Sequence, residues 1–256
     1  LSDTPKPRFA VILVAAGRSE RFADANYKKP FAPLCDRAVW LHSAERFMER
    51  DDVCQVVVVI AEEDREDFQR RFGPNLAFMS VEVCVGGANR GDSVRAGLAK
   101  LTDGATHVAV HDAARPCVAD KEIDAVFAAA SRDGAAILAA RVADTIKRAK
   151  APADGGKPSI EETVPRDGLW AAQTPQVFCR KLLERAHEAA GEGETDDAQL
   201  IERLGEPVTL VEGSPMNLKI TKRMDLKLAE LILKARPPKD PAGGFANPFA
   251  GDDMWR

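Results

Sequence analysis

Residues 9–29 read FAVILVAAGRSERFADANYKK. The segment opens with an unbroken apolar run, Phe9 to Ala15. A continuous run of that kind predicts a strand buried on both faces, as parallel sheets require. The chain then breaks at Ala16-Gly17 into a polar loop that carries Arg18, Arg21, Lys28 and Lys29. Small residues let a polyphosphate approach the backbone closely, and the cations neutralise it. The stretch predicts the first strand of an α/β sheet and a triphosphate loop at its end. Later segments would then supply the metal and the second substrate. A plain strand-to-helix turn with solvated cations has the same composition, so the loop alone does not decide function.

Strand-like and helical patterns alternate after this stretch. Strands are expected at 54–61, 81–85, 107–111 and 135–142, and helices at 38–48, 63–72, 92–101 and 120–131. The alternation implies a mostly parallel sheet with helices on both faces, a Rossmann-like α/β fold. The helix at 92–101 would be capped near Asp92 or Ser93. The pattern changes at 141–166, where two short alternating segments flank a Pro/Gly turn. Thr145, Ile146, Ile160 and Val164 are the few apolar contacts of this hairpin. A hairpin so poor in apolar residues is marginal alone, so it is expected to project as an arm and pack on a second subunit. A short segment at 169–178 follows, then helices at 180–190 and 196–204 and strands at 208–211 and 217–220. The last helix, 222–233, is expected to bury Met224, Leu228, Leu231 and Ile232. Residues 9–235 read as one domain. The segment 236–256 is rich in Pro and Gly, lacks periodicity and reads as a disordered tail.

The chain has 256 residues, enough for one α/β domain with a small appendage. A formal charge of −4 gives no global signal for nucleic acid or an anionic membrane. Its five cysteines form no Cys-x-x-Cys pair, which argues for a reducing compartment, without a disulfide framework or zinc site. No apolar run approaches the roughly 20 residues of a membrane span. The first eight residues lack an apolar signal core. A cytoplasmic protein is the expectation.

In open parallel sheets ligands bind beyond the carboxyl ends of the strands. Four segments with chemical character fall at such ends: 15–21, 86–90, 111–116 and 217–221. Neither a Walker A loop nor a G-x-G-x-x-G fingerprint is present, which disfavours a P-loop NTPase and a dehydrogenase. Asp112 suits Mg²⁺, which takes one or two carboxylates beside substrate phosphates; it would equally cap a turn. Arg115 offers a planar fork to a phosphate, or is a solvated charge. His111 has the chemistry of a base but reads first as structural. Lys219, within a strand-like segment, needs an anion or a solvated edge. Ser93 either binds a ligand or caps a helix, and Thr195-Asp196-Asp197 reads as a helix start.

Taken together, these segments resemble a known family. Ala15-Ala16-Gly17, Arg21, Lys29, Gly86-Gly87, Arg90, Asp92-Ser93-Val94, His111-Asp112-Ala113-Ala114-Arg115-Pro116, Asp144-Thr145-Ile146-Lys147, Thr174-Pro175-Gln176, Thr195-Asp196-Asp197-Ala198 and Asn217-Leu218-Lys219-Ile220-Thr221 occur in the order found in 2-C-methyl-D-erythritol 4-phosphate cytidylyltransferases of the non-mevalonate isoprenoid pathway. The resemblance implies a nucleotidyltransferase fold with a protruding β-arm, and transfer of CMP from CTP to the polyol phosphate with release of pyrophosphate. It implies that Ala15, Ala16, Gly17, Gly86 and Ser93 line the cytidine site. Arg21 and Lys29 would hold the triphosphate, and Lys219 would act near the α-phosphate. Asp112 would bind Mg²⁺ or another divalent cation. Arg115, Thr145, Arg166 and Thr195 would hold the polyol phosphate, with the arm reaching a twofold mate in a homodimer.

The sequence departs from the family at Ser19, where a glycine is usual, and at Lys28-Lys29-Pro30, where Pro-Lys-Gln is usual. Lys29 is preferred over Lys28 as the phosphate lysine, because Lys-Pro-Phe matches related nucleotidyltransferases. No cyclase segment follows, so a single activity is expected. Transfer to another polyol phosphate such as ribitol 5-phosphate is the nearest alternative, and a non-catalytic nucleotide-binding module is the next.

Overall fold

The computed structural model describes residues 6–17, 22, 27–150, 156–190 and 194–236. The first strand, β1, is Phe9–Val14. A short ribbon, β2 (Pro33–Leu34) and β3 (Arg37–Ala38), leads into α1 (Val39–Met48). There follow β4 (Val53–Ile60), α2 (Arg65–Phe78), β5 (Val81–Val85), α3 (Arg90–Leu98), β6 (His107–Asp112), α4 (Asp120–Asp133) and β7 (Ala135–Arg141). The arm strands are β8 (Ile146–Lys150) and β9 (Ser159–Val164). The chain continues through β10 (Trp170–Cys179), α5 (Arg180–Glu188), α6 (Ala198–Arg203), β11 (Thr209–Glu212) and α7 (Arg223–Ala235).

Seven strands form one sheet in the order β11-β7-β10-β6-β1-β4-β5. Neighbours are parallel except β10, which runs antiparallel to both β6 and β7. The α/β architecture with a mostly parallel sheet is the one expected from the alternation. In β1 the two faces separate by parity, as the period of a strand requires. Ala10 and Ile12 pack with Val94 and Leu98 of α3, Leu183 of α5 and Ile201 of α6. Phe9 and Val11 pack with Phe47 of α1 and Phe127 of α4, and Leu13 with Trp40 of α1 and Phe68 of α2. Since both faces are covered, polar alternation is absent from the sequence of β1, and its continuous apolar run follows.

Several expectations need correction. The stretch 169–178, expected only as a short segment, falls almost wholly within a full central strand, β10. Its register against β7 breaks between Ala172 and Gln176, around a cis Thr174-Pro175 bond. Proline and buried glutamine in that stretch hid the strand. The helix expected at 92–101 starts two residues earlier. Asn89 caps it, its Oδ1 accepting the Asp92 N–H at 2.8 Å, so neither Asp92 nor Ser93 is the cap. The helix expected at 63–72 runs on to Phe78, through Pro74. Residues 217–220 form no strand: Asn217 and Ile220 are buried as anchors of an irregular loop. In α7 the periodicity is right and the buried face is not. Met224, Leu228 and Leu231 are exposed, and Ala229 faces the core beside the partly buried Leu226, Ile232 and Leu233. The proposed tail lies outside the described residues, apart from Arg236.

The hairpin is present. Strand β8 pairs antiparallel with β9, Ile146 opposite Val164, as a sheet of its own. Its side chains are almost all exposed, Ile160 among them. The turn at 151–155 lies outside the described residues.

One glycine fixes how closely α3 approaches the sheet. A Cβ on Gly97 would stand 2.7 Å from Ile12 Cγ2 and 3.2 Å from Val59 Cγ2. Alanine would gain about 1 kcal/mol of helix propensity. Overpacking against two fully buried branched side chains costs about 1–3 kcal/mol. Gly97→Ala is therefore expected to lower the unfolding free energy, by about 1 kcal/mol net, in urea titration. An increase in stability would show that α3 is not seated as described.

Candidate functional site

The parallel strands bring their carboxyl ends to one rim. Val14, the last residue of β1, is level with Val59 of β4 and Asp112 of β6. The loops leaving this rim enclose a cleft of about 440 Å³, whose lining includes Ala15, Ala16, Gly17, Lys29, Gly87, Arg90, Ser93, Asp112 and Lys219. Segments from opposite ends of the sequence thus meet at one place.

The loop after β1 is held by the Ala15 N–H, which donates to Val59 O at 2.8 Å. A Cβ on Gly17 would meet no described atom within 4 Å, so protein packing does not call for glycine there. A ligand close to the backbone would. Residues 18–21 and 23–26 lie outside the described residues, and Arg21 and Ser19 among them. The two adjacent lysines part company. Lys28 Nζ is paired with Glu63 at 3.0 Å and Asp64 at 2.8 Å, whereas Lys29 lines the cleft. Between them the chain enters a 3-10 turn whose Phe31 is buried against Phe68 and Phe72. Lys28 is thus tied to the start of α2, and the turn directs Lys29 to the cleft.

On the opposite wall, Gly86 stands just behind the surface. A Cβ there would stand 2.5 Å from Ser93 Oγ and 2.9 Å from Val59 Cγ1. Glycine at 86 is what lets Ser93 sit where it does. Ser93 lines the cleft and donates its hydroxyl to Asn89 O at 2.9 Å.

Asp112 is the centre of charge. Lys219 Nζ lies 2.8 Å from its Oδ2, Arg115 Nε 3.5 Å from Oδ2 and Arg90 Nε 3.9 Å from Oδ1. Burial opposes ionisation, yet Lys219, Arg90 and Arg115 hold the carboxyl well below the usual carboxylate range. Lys219 is delivered by the pinned loop. Asn217 Nδ2 donates to Thr174 O at 2.9 Å and Gln173 Oε1 at 3.2 Å. Arg115 Nη1 donates to Asn217 O at 2.7 Å, and the Ile220 N–H to Ala114 O at 2.8 Å. Arg115 itself is absorbed by Asp112 and this carbonyl and does not line the cleft.

His111 is fully buried beneath this cluster. Its Nε2 lies 3.2 Å from Arg115 O, which can only accept, so Nε2 carries the proton. Nδ1 then accepts from the Thr174 hydroxyl at 3.1 Å, while the same Thr174 oxygen accepts the Asp112 N–H at 3.0 Å. The ring therefore needs its neutral form, and burial lowers its pKa to about 4. His111 is a brace for Asp112 and Arg115, in line with its structural reading.

Among the described residues, Asp112 is the only carboxylate lining the cleft. No group of three or more described His, Cys, Asp or Glu side chains is placed to hold a metal. One carboxylate on a cleft roomy enough for a nucleotide fits Mg²⁺ that takes its other ligands from that nucleotide and water.

Thr145, Arg166 and Thr195 are not buried and do not line the cleft. Arg166 donates to Ala143 O at the base of the arm, and the Thr195 N–H donates to Gln199 Oε1 at 3.1 Å.

A family model for 2-C-methyl-D-erythritol 4-phosphate cytidylyltransferase matches residues 9–235, which include every described residue of the cleft. The chain belongs to that family. A relative of this name in Rhodopirellula baltica is 42% identical over 88% of this chain and 94% of its own length. One in Bacillus velezensis is 42% identical over 89% of this chain and 96% of its own. The crystal structure of the cytidylyltransferase of this name from Thermus thermophilus superposes with a TM-score of 0.68, at 33% identity over 89% of this chain and 99% of that one. A 4-diphosphocytidyl-2C-methyl-D-erythritol synthase structure superposes with a TM-score of 0.72, also at 33% identity, over 90% and 100% of the two chains.

Sequence reasoning assigned no role to Arg90, although it quoted the residue within the family's glycine segment. Thr174 and Asn217 were likewise quoted within family segments without a role; they are buried polar residues that brace Asp112 and Lys219. Polar residues in a stretch otherwise apolar enough to be a strand were the available signal.

The neutral state of His111 has a consequence for stability. Its unfolded pKa is about 6.5. Because the folded value is lower, its contribution is complete above about pH 6.5 and is lost as pH falls toward 4. With EDTA present, the wild type is expected to lose about 2–3 kcal/mol more than His111→Gln between pH 7 and pH 4.5. His42 and His107, also shifted down by burial, remain in both proteins and cancel. Chemical denaturation at each pH provides the comparison, and parallel profiles would remove His111 from the account.

Proposed function

We infer that this protein transfers CMP from CTP to 2-C-methyl-D-erythritol 4-phosphate, giving CDP-methylerythritol and pyrophosphate. The observation that carries the inference is the match of the family model across the very residues that converge on the cleft. A phosphate oxygen of the polyol substrate attacks the α-phosphorus of CTP. A new P–O bond forms as the bond from the α-phosphorus to the α,β-bridging oxygen breaks, and that oxygen leaves with the electron pair on pyrophosphate. Such a displacement needs no protein nucleophile, and catalysis consists of positioning and charge stabilisation.

Cleft lining, for the residues that have it, and family likeness for the rest support the following roles. Ala15, Ala16, Gly17 and Ser93 present small surfaces and backbone to the nucleoside, with Gly86 allowing Ser93 its position. Lys29 faces the triphosphate across the cleft, with Arg21 assigned there by family likeness. Lys219 stabilises charge near the α-phosphate. Asp112 would hold Mg²⁺, which when bound neutralises phosphate oxygens. Thr145, Arg166 and Thr195 are assigned to the polyol phosphate by family likeness, whereas Arg115, engaged by Asp112 and Asn217 O, is left as a brace of the Lys219 loop. The exposure of Thr145 and Arg166 supports a homodimer in which each arm serves the neighbouring cleft. Five free cysteines support a reducing, cytoplasmic setting.

Pyrophosphate release with CTP, Mg²⁺ and methylerythritol phosphate tests the reaction. Turnover is expected, and faster turnover with ribitol 5-phosphate would replace the substrate. In the same assay Lys29→Ala and Lys219→Ala are expected to lose about 10²–10³ in kcat, and Lys28→Ala less than about tenfold. The reverse order for the two adjacent lysines would reassign them.

Arms exchanged between subunits predict complementation. Arg166→Ala and Lys219→Ala, each nearly inactive alone, are expected to recover about a quarter of wild-type activity when co-expressed, since half the dimers are mixed and each mixed dimer has one intact site. No recovery despite mixed dimers would place Arg166 in its own subunit's cleft.

A further inference from the structure

Two sequence motifs remain outside the cleft, Thr195-Asp196-Asp197-Ala198 and the Gln176 end of Thr174-Pro175-Gln176. Their buried members, Gln176, Asp197 and Ala198, form one device. Gln176 Oε1 accepts the Asp197 N–H at 3.0 Å and the Ala198 N–H at 3.2 Å, and its Nε2 donates to Asp196 Oδ2 at 2.8 Å. The amide of a central strand thereby clamps the turn before α6. Asp197 is 1% exposed. Its Oδ1 faces His187 Nε2 at 3.2 Å, and its Oδ2 accepts from Arg90 Nη1 at 2.6 Å.

A buried carboxylate is costly unless it is paired. Pairing alone does not explain why the partner lies at the cleft wall. Arg90 is fixed at one end by Asp197, while its Nε faces Asp112 at 3.9 Å. Arginine presents a rigid fork, so holding one nitrogen orients the others. Without Asp197, the nearest described carboxylate to Arg90 would be Asp112. A free guanidinium would swing to Asp112, closing the cleft and competing with Lys219 and any metal.

We propose that Asp197, locked by Gln176 and His187, is a positioning residue that holds the Arg90 guanidinium along the cleft wall, where it meets the phosphates of the nucleotide without collapsing onto Asp112. The proposal rests on the reading of the cleft as the CTP site. Asp197 touches no substrate; it acts through Arg90.

A double-mutant cycle tests this. Wild type, Asp197→Asn, Arg90→Met and the double variant are compared by steady-state kinetics for both substrates and by calorimetric binding of CTP with Mg²⁺. Asp197→Asn and Arg90→Met are each expected to raise KM for CTP about 10- to 100-fold, with KM for methylerythritol phosphate changed less than about threefold. The double variant is expected to match Arg90→Met, because Asp197 has no work once Arg90 is gone. Should Asp197→Asn fail to fold, the double variant, which removes both charges together, still answers against Arg90→Met. Multiplied losses in the double variant, or a lower melting temperature with unchanged KM in Asp197→Asn, would overturn the proposal and leave Asp197 as a purely structural anion. Absence of CTP binding and turnover in the wild type would instead remove the CTP reading itself.

Discussion

The ion pair between Asp112 and Lys219 is the contact on which the site depends. It joins the end of a central strand to a loop near the last helix, far apart in sequence, at 2.8 Å. Asp112 is ionised despite burial because three cations surround it. Three cations against two carboxylates, Asp112 and the buried Asp197 that pairs with Arg90, leave the cluster positive, and a low-dielectric wall strengthens that field. A nucleoside triphosphate carries the complementary charge.

Much of the remaining structure serves to hold these groups still. The Asn217 and Ile220 anchors fix the Lys219 loop from both sides. The neutral His111 ring and the Thr174 hydroxyl brace the Asp112 backbone. Gly97 and Gly86 let α3 and its loop approach the sheet closely enough for Ser93 and Arg90 to reach the cleft. Lys28 is held by Glu63 and Asp64, while the following residue, Lys29, lines the cleft. Preorganisation of this kind is how a displacement without a protein nucleophile is accelerated.

The sheet was legible because β1 and β4 are buried on both faces, and continuous apolar runs admit few other readings. The cleft was legible because small residues and charges recur at strand ends, where parallel sheets bind ligands. Strand β10 was not legible. Its polar residues Gln173, Thr174 and Gln176 are satisfied by segments distant in sequence, a loop at Ser214, strand β6 and the turn before α6, so local pattern could not reveal their burial. The loop at 217–220 failed for a related reason. Its two buried residues, Asn217 and Ile220, are three apart and are anchored by Arg115 and Ala114, not by a pleat. In α7 the periodicity was visible, but the choice of buried stripe depends on neighbours that one helix cannot specify. The role of Lys28 likewise required the tertiary position of Glu63 and Asp64.

The claim that this charge cluster is the triphosphate site is tested most directly by calorimetric titration of CTP, in excess Mg²⁺, into the wild type and Lys219→Met. One-to-one saturation in the wild type, weakened at least about tenfold in the variant, is the result predicted. Equal affinity in the two proteins, or no saturable binding in either, would contradict it.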